Sequence, residues 1–171
     1  MDVNEVAATI GSLPSVLERL LAPIDPSTLS TRPEPGEWCP LEVIGHLIAC
    51  DSAAFRDRIR AIVDGAGAGR IAPFDAWEAI NARNFAAEPL DALLNELADE
   101  RKRSCDYILS LTDDELSATA TTSDGRVFRA SDFVYEWSFH DQDHLQQILA
   151  CLKLAYLPPM TPAMQNALTS S

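Results

Sequence analysis

Of the 171 residues only three are histidine, and two of them, His140 and His144, lie four apart in the run Ser131 to Leu152, SDFVYEWSFHDQDHLQQILACL. Residues i and i+4 of an α-helix stand one turn apart on the same face, so both imidazoles can point at a single metal ion, as in helices that carry HExxH. Phe133, Trp137, His140, His144, Ile148 and Cys151 follow one another in steps of four, three, four, four and three. That is the inward stripe of an amphipathic helix, and the histidines occupy it. An inward pair is equally compatible with hydrogen-bonded core residues, and the third histidine shifts the balance. His46 sits in PLEVIGHLIACDSAAFRDRI, a second long helical pattern, and two antiparallel helices of this length can set its ring opposite the pair. Three protein ligands with an open fourth position is the arrangement of a catalytic zinc-type site.

Such a site leaves room for water or a substrate atom, and a zinc-like ion there activates either water or an incoming thiol. The first outcome is a hydrolase and the second a thiol transferase; both need the same three ligands. Partners that fix the imidazole tautomers are sought among Asp51, Asp141, Asp143 and Glu136, which neighbour the histidines in sequence. Cys50 stands four residues after His46 and is the one sulfur spaced to act as a fourth ligand; its alternative role is that of a small core hydrophobe. No general acid or base outside the metal ligands stands out, because Tyr135 and Ser138 face elsewhere on the wheel. A carboxylate-bearing thiol cofactor would need cations at the pocket mouth, for which Arg32, Arg56 and Arg83 are available. The opposing class of function is a non-catalytic metal- or small-molecule-binding stress-response module.

The elements that must position these residues are helical. Val6, Ile10, Leu13, Leu17, Leu20 and Leu21 mark a first helix over residues 3 to 21, with Pro14 inside it expected to kink or divide it. The proline-rich stretch APIDPSTLSTRPEPGEW is expected to be a surface loop. A second helix opens at Cys39-Pro40-Leu41-Glu42, with proline at the first helical position and Glu42 placed to reach back to the cap. It continues to about Val63 and stops at GAGAG. Arg56, Asp57, Arg58 and Arg60 in its second half read as a solvated face. Residues 70 to 87 are expected to hold a short helix anchored by Trp77 and Phe85. A third helix follows Glu88-Pro89 to about Ser110, and Thr112-Asp113-Asp114-Glu115 opens a brief extra turn. The threonine-rich segment from Ser117 to Arg129, with its Asp124-Gly125 turn, is a small hairpin or extended strip leading into the fourth helix.

The sum is an all-α, four-helix bundle with long crossover connections over residues 1 to 157, followed by a C-terminal tail, residues 158 to 171. Twenty-six acidic against thirteen basic residues give a formal net charge of −13. With no basic cluster, neither nucleic acid nor an anionic membrane is an expected partner. No apolar run reaches the ~18 to 20 residues that span a bilayer, and the start MDVNEVAATIG lacks the pattern of a signal peptide, so a cytoplasmic location is expected. The four cysteines form no CxxC pair, which argues against a zinc ribbon and a thioredoxin-like motif.

The run RPEPGEWCPLEVIGHLIACDSAAFRDRI, followed by DGRVFRASDFVYEWSFHDQDHLQQI, resembles the DinB/YfiT superfamily from about Leu13 to Leu152. In that family a Trp-Ser segment caps the second helix, a GHL motif supplies one histidine and a late HxxxH motif two more. The resemblance implies that His46, His140 and His144 are metal ligands. Here Cys39 replaces the usual Ser or Thr cap, and Asp51 stands where the family carries an acidic residue, often Glu. The resemblance further implies a four-helix bundle of unusual connectivity, a divalent metal (typically nickel or zinc), a homodimer, a small-molecule substrate, and in some relatives a low-molecular-weight thiol such as bacillithiol, mycothiol or glutathione.

Overall fold

The computed structural model describes residues 2–65, 75–122 and 124–169. Its long helices are α1 (Val3–Leu21), a second helix built from α3 (Pro40–Cys50), a π-helical turn (Asp51–Arg56) and α4 (Asp57–Val63), then α6 (Leu90–Ser110) and α8 (Ala130–Ala155). Short helices α2 (Pro26–Ser30), α5 (Ala76–Asn81), α7 (Asp113–Ser117) and α9 (Pro162–Thr169), a 3-10 turn (Phe85–Ala87) and one hairpin, β1 (Thr119–Thr121) with β2 (Val127–Arg129), complete the elements of the described residues. Helix α1 packs on α6 and α8, and α3 packs on the same two. The ring order is therefore α1, α6, α3, α8, with α6 and α8 facing each other across the bundle axis.

Most local signals act as the sequence implies. Glu42 accepts the Cys39 N–H at 2.9 Å, Thr112 and Glu115 form a reciprocal cap, and Gly125 takes φ +83° in the hairpin turn. Helix α6 begins and ends where its stripe does. Four expectations are corrected. Pro14 does not divide α1, which runs unbroken; the residue faces α6 from a buried position, and a single missing donor is tolerated inside a well-packed helix. The proline-rich connection contains α2, because Asp25 caps it and Pro26 occupies its first position. Trp77 is 43% exposed rather than a buried anchor, whereas Phe85 is buried. Arg56 is buried rather than solvated, for a reason given below. Of GAGAG only Gly65 lies among the described residues, at φ +68°; the rest of it, and the start of the 70 to 87 segment, lie outside them.

The core has two apolar parts stacked along the bundle. One gathers Leu13, Leu17, Leu41, Ile44, Leu97 and Ile148; the other gathers Val6, Ile10, Phe55, Ile59, Ile108 and Trp137. Where the two parts meet, each long helix after α1 carries polar residues: His46 and Asp51, then Arg101 and Ser104, then Ser138, His140, Asp141 and His144. A polar belt thus crosses the middle of the bundle. Among the described residues no helix is long and apolar enough to cross a membrane.

The belt is held at one end by a close approach beside His46. A Cβ built on Gly45 would stand 2.3 Å from Phe85 Cγ and 2.5 Å from both Cδ atoms, so the ring lies directly on the α3 backbone. Gly45→Ala should therefore destabilise the protein by about 1–3 kcal/mol through overpacking, although alanine is the better helix former by about 1 kcal/mol. Urea unfolding checks this; a stabilised variant would show that Phe85 does not hold α3.

Candidate metal centre

Helices α3 and α8 bring the three histidines together. His46 Nε2 and His140 Nε2 are 3.1 Å apart, and the ring centroids of His46 and His140, His46 and His144, and His140 and His144 are separated by 5.1, 4.4 and 4.4 Å. One ligand nitrogen from each residue lies within 4.8 Å of the other two. The i, i+4 spacing on α8 and the ring order of the bundle produce this convergence: α8 supplies two rings on one face, and α3 lies against that face.

Two of the rings, His46 and His144, are poised as neutral donors. Burial, then the neighbouring His144 and His140, push the His46 pKa down from 6.5 to about 3. Burial, then His140, also lowers that of His144. His144 Nδ1 lies 2.9 Å from Gln147 Oε1; a carbonyl oxygen only accepts, so Nδ1 carries the proton and Nε2 keeps its lone pair. His140 Nδ1 is buried without a hydrogen bond, and Asp141 Oδ1 is 3.9 Å from it. Ring nitrogens bound to one zinc-type ion at ~2.1 Å lie about 3.4 Å apart in tetrahedral geometry, a separation the present rings reach by small rotations. Converging ring nitrogens and a buried imidazole nitrogen that lacks a partner fit a divalent cation.

Below the rings lies a charged network that the histidine pattern alone does not reveal. Arg101, 1% exposed, donates to both oxygens of Asp141 at 2.7 Å each and pairs with Asp51 at 3.3 Å. It does so from α6 across the axis to α8. Asp51 also accepts from Trp137 Nε1 and Ser104 Oγ, each at 3.3 Å. Burial lifts the Asp51 pKa to about 7, Arg101 opposing and Asp141 reinforcing the rise. The π-helical turn explains Arg56: i to i+5 bonding brings residues five apart onto one side, so Asp51 and Arg56 both face inward. Arg56 then pairs with Glu100 at 2.8 Å and donates to Ser104 at 3.0 Å. The same turn stacks Phe55 on Trp137, 4.6 Å between centroids and 10° between planes, and sets Phe55 edgewise to His140.

Of the residues singled out in the sequence, Asp51 and Asp141 are buried beneath the rings, while Glu136 and Asp143 are exposed. Neither Asp51 nor Asp141 hydrogen-bonds an imidazole. Cys50 Sγ lies 3.3 Å from His46 Nε2 but is not part of the group of ligand atoms that lie within 4.8 Å of one another; burial raises its pKa. Arg32 is paired with Glu42, Arg56 with Glu100 and Arg83 with Glu88 and Glu96. Gln147 and Arg101 were not anticipated. Arg101 continues the α6 stripe Leu94, Leu97, Arg101, Ser104, Ile108, and a charged residue on a core stripe is the signal that would have found it.

Two clefts flank the belt. The larger, about 470 Å³, runs between α1 and α6 past Gly11, Pro14 and Cys105 and touches none of the histidines. The smaller, about 260 Å³, opens at His144 between Gly36, Glu37, Trp38, Trp77 and Gln147. Trp38 backs the site, with its ring centroid 4.8 Å from that of His46. Chemistry assigns the smaller cleft to the site, because it alone of the two reaches a candidate ligand.

A helical bundle with three convergent histidines defines the class of protein. Residues 11–148 match the DinB superfamily, and the chain belongs to that family. Among solved structures, YfiT from Bacillus subtilis, described as a probable metal-dependent hydrolase with an unusual four-helix bundle topology, superposes with a TM-score of 0.76 at 16% identity, covering 88% of this chain and 86% of its own. The mycothiol-dependent maleylpyruvate isomerase gives 0.58 at 19% identity, covering 86% of this chain and 61% of the isomerase. The chain thus spans less than two thirds of the latter. No curated protein matches in sequence.

The neutral His46 ring has a pH signature. An unfolded chain takes up this proton near pH 6.5, whereas the folded chain resists to about pH 3. Its contribution to stability is complete above pH 6.5 and is lost as the pH falls toward 3. Asp51 acts with opposite sign, since its folded pKa of about 7 favours the folded state as pH falls toward the ordinary carboxylate value. In metal-free protein, NMR should show no His46 titration above about pH 4, and His46→Gln should flatten the fall in stability between about pH 6 and 4. A His46 that titrates near 6.5 would contradict the buried, neutral assignment.

Proposed function

We propose that the protein is a metal-dependent hydrolase acting on a small molecule, with His46, His140 and His144 holding a divalent ion, zinc or nickel. The observation that carries this reading is the convergence of three imidazoles beside an open cleft. When bound, such an ion supplies a Lewis acid that lowers the pKa of a coordinated water toward ~7. The chain supplies the rest. Burial keeps His46 unprotonated at neutral pH, Gln147 holds His144 in one tautomer, and Asp141 stands within a small ring rotation of His140 Nδ1. Trp38 and Phe55 wall the rings against bulk water. The like fold of YfiT, a probable metal-dependent hydrolase, supports the same reaction class.

Likeness to a mycothiol-dependent enzyme favours a thiol-transferase reading, but the cations for a carboxylate-bearing thiol are committed elsewhere: Arg32, Arg56 and Arg83 each bind carboxylates of the chain. Cys50 is not among the ligand atoms that lie within 4.8 Å of one another, which weighs against a closed structural site. Tyr135, Phe139 and Leu149, all exposed on one side of α8, support a homodimer.

Aryl esters and amides are suitable first substrates. Chelation should lower hydrolysis by about a hundredfold or more, zinc or nickel should restore it, and Gln147→Ala should weaken metal affinity by about tenfold. Hydrolysis that survives both chelation and His140→Ala would overturn the proposal.

A further inference from the structure

The cleft at His144 has a chemical character of its own. Among the described residues Glu37 is the one carboxylate in its lining, and no lysine or arginine lines it. Trp38 and Trp77 meet edge to face, with centroids 5.2 Å apart and planes at 61°. Trp38 is buried and forms the back wall, while Trp77 is 43% exposed and within reach of a ligand. The face of an indole carries the negative end of its quadrupole and attracts cations that come within ~6 Å. The chain already uses Trp77 in this way, since Arg32 Cζ lies 5.9 Å from its ring centroid. The charge of Arg32 is itself answered by Glu42, which accepts from its Nε at 2.9 Å. The chain as a whole carries a net charge of −13, which favours cations over anions near its surface.

We propose that this cleft binds a cationic head group, an alkylammonium or quaternary ammonium, belonging to a substrate whose reacting group lies at the three histidines. The position of the reacting group rests on the metal-hydrolase reading; the cation site rests on Trp38, Trp77 and Glu37. A divalent ion at the imidazoles repels the head group, so it sits at the Trp77 and Glu37 end. The substrate is therefore elongated, with its positive charge several bonds from the bond that breaks.

Choline, its neutral isostere 3,3-dimethyl-1-butanol and the anionic 3,3-dimethylbutanoate separate charge from shape. Each is titrated into protein supplied with one equivalent of zinc, with tryptophan fluorescence and calorimetry as readouts and zinc content measured on the same samples. Choline should saturate one site per chain and bind at least about tenfold tighter than the neutral isostere, with no binding of the carboxylate. Trp77→Leu and Glu37→Gln, both at exposed positions, should each weaken choline about tenfold and leave zinc content unchanged. Equal or tighter binding of either isostere, or choline binding that neither substitution alters, overturns the proposal. Protein that binds choline but takes up no zinc contradicts the hydrolase reading and upholds the cation site; protein that takes up zinc but not choline does the reverse.

Discussion

The buried pairing of Arg101 with Asp51 and Asp141 is the interaction on which the rest of the structure depends. Taking a guanidinium and two carboxylates out of water costs several kcal/mol per ion, which their mutual attraction offsets only with good geometry. Here the geometry is bidentate to Asp141 at 2.7 Å and is supported by Trp137 and Ser104 on Asp51. The pairing joins α6 to α8 across the axis and reaches the π-helical turn at the end of α3. It therefore fixes the two helices that bear the histidines relative to each other. Apolar packing above and below the belt would hold the helices together in many rotations; the ion network selects one.

That selection has an electrostatic consequence for the site. Two carboxylates share one guanidinium, so a negative charge is left over beneath the three rings whenever Asp51 is ionised. Burial resists that ionisation and places Asp51 near neutrality in its pKa. A dication held above the network would stabilise the ionised form, and the ionised form would in turn favour the dication. The rings alone would accept a metal through their lone pairs; the network beneath them adds a field of the right sign. Trp38, Phe55 and Trp137 keep this region from bulk water, where the same charges would be screened.

Much of this was legible in the sequence because it is written in short-range periodicity. The stripe from Phe133 to Cys151 placed both α8 histidines inward, Pro40 and Glu42 marked the start of α3, and Leu90 to Ser110 marked α6. The approach of His46 to the pair followed once antiparallel packing was assumed. The π-helical turn was not legible, since one extra residue per turn changes the facing of Arg56 without changing composition, and a charged run reads as solvated until the turn is seen. Arg101 was hidden by the habit of treating a charge within a leucine stripe as surface. Gln147 had no signal beyond its i+3 relation to His144, and the Trp38 and Trp77 corner joins residues on opposite sides of a whole helix. Such meetings depend on tertiary packing rather than on any local pattern.

The central claim, that the three histidines hold a metal, is tested most directly by elemental analysis of untagged protein purified without chelator, alongside His46→Ala, His140→Ala and His144→Ala. The account predicts about one equivalent of a divalent transition metal in the wild-type protein, after reconstitution with zinc or nickel if needed, and its loss in each variant while the helical fold persists. Wild-type protein that takes up no metal under those conditions, or variants that retain it in full, would contradict the account.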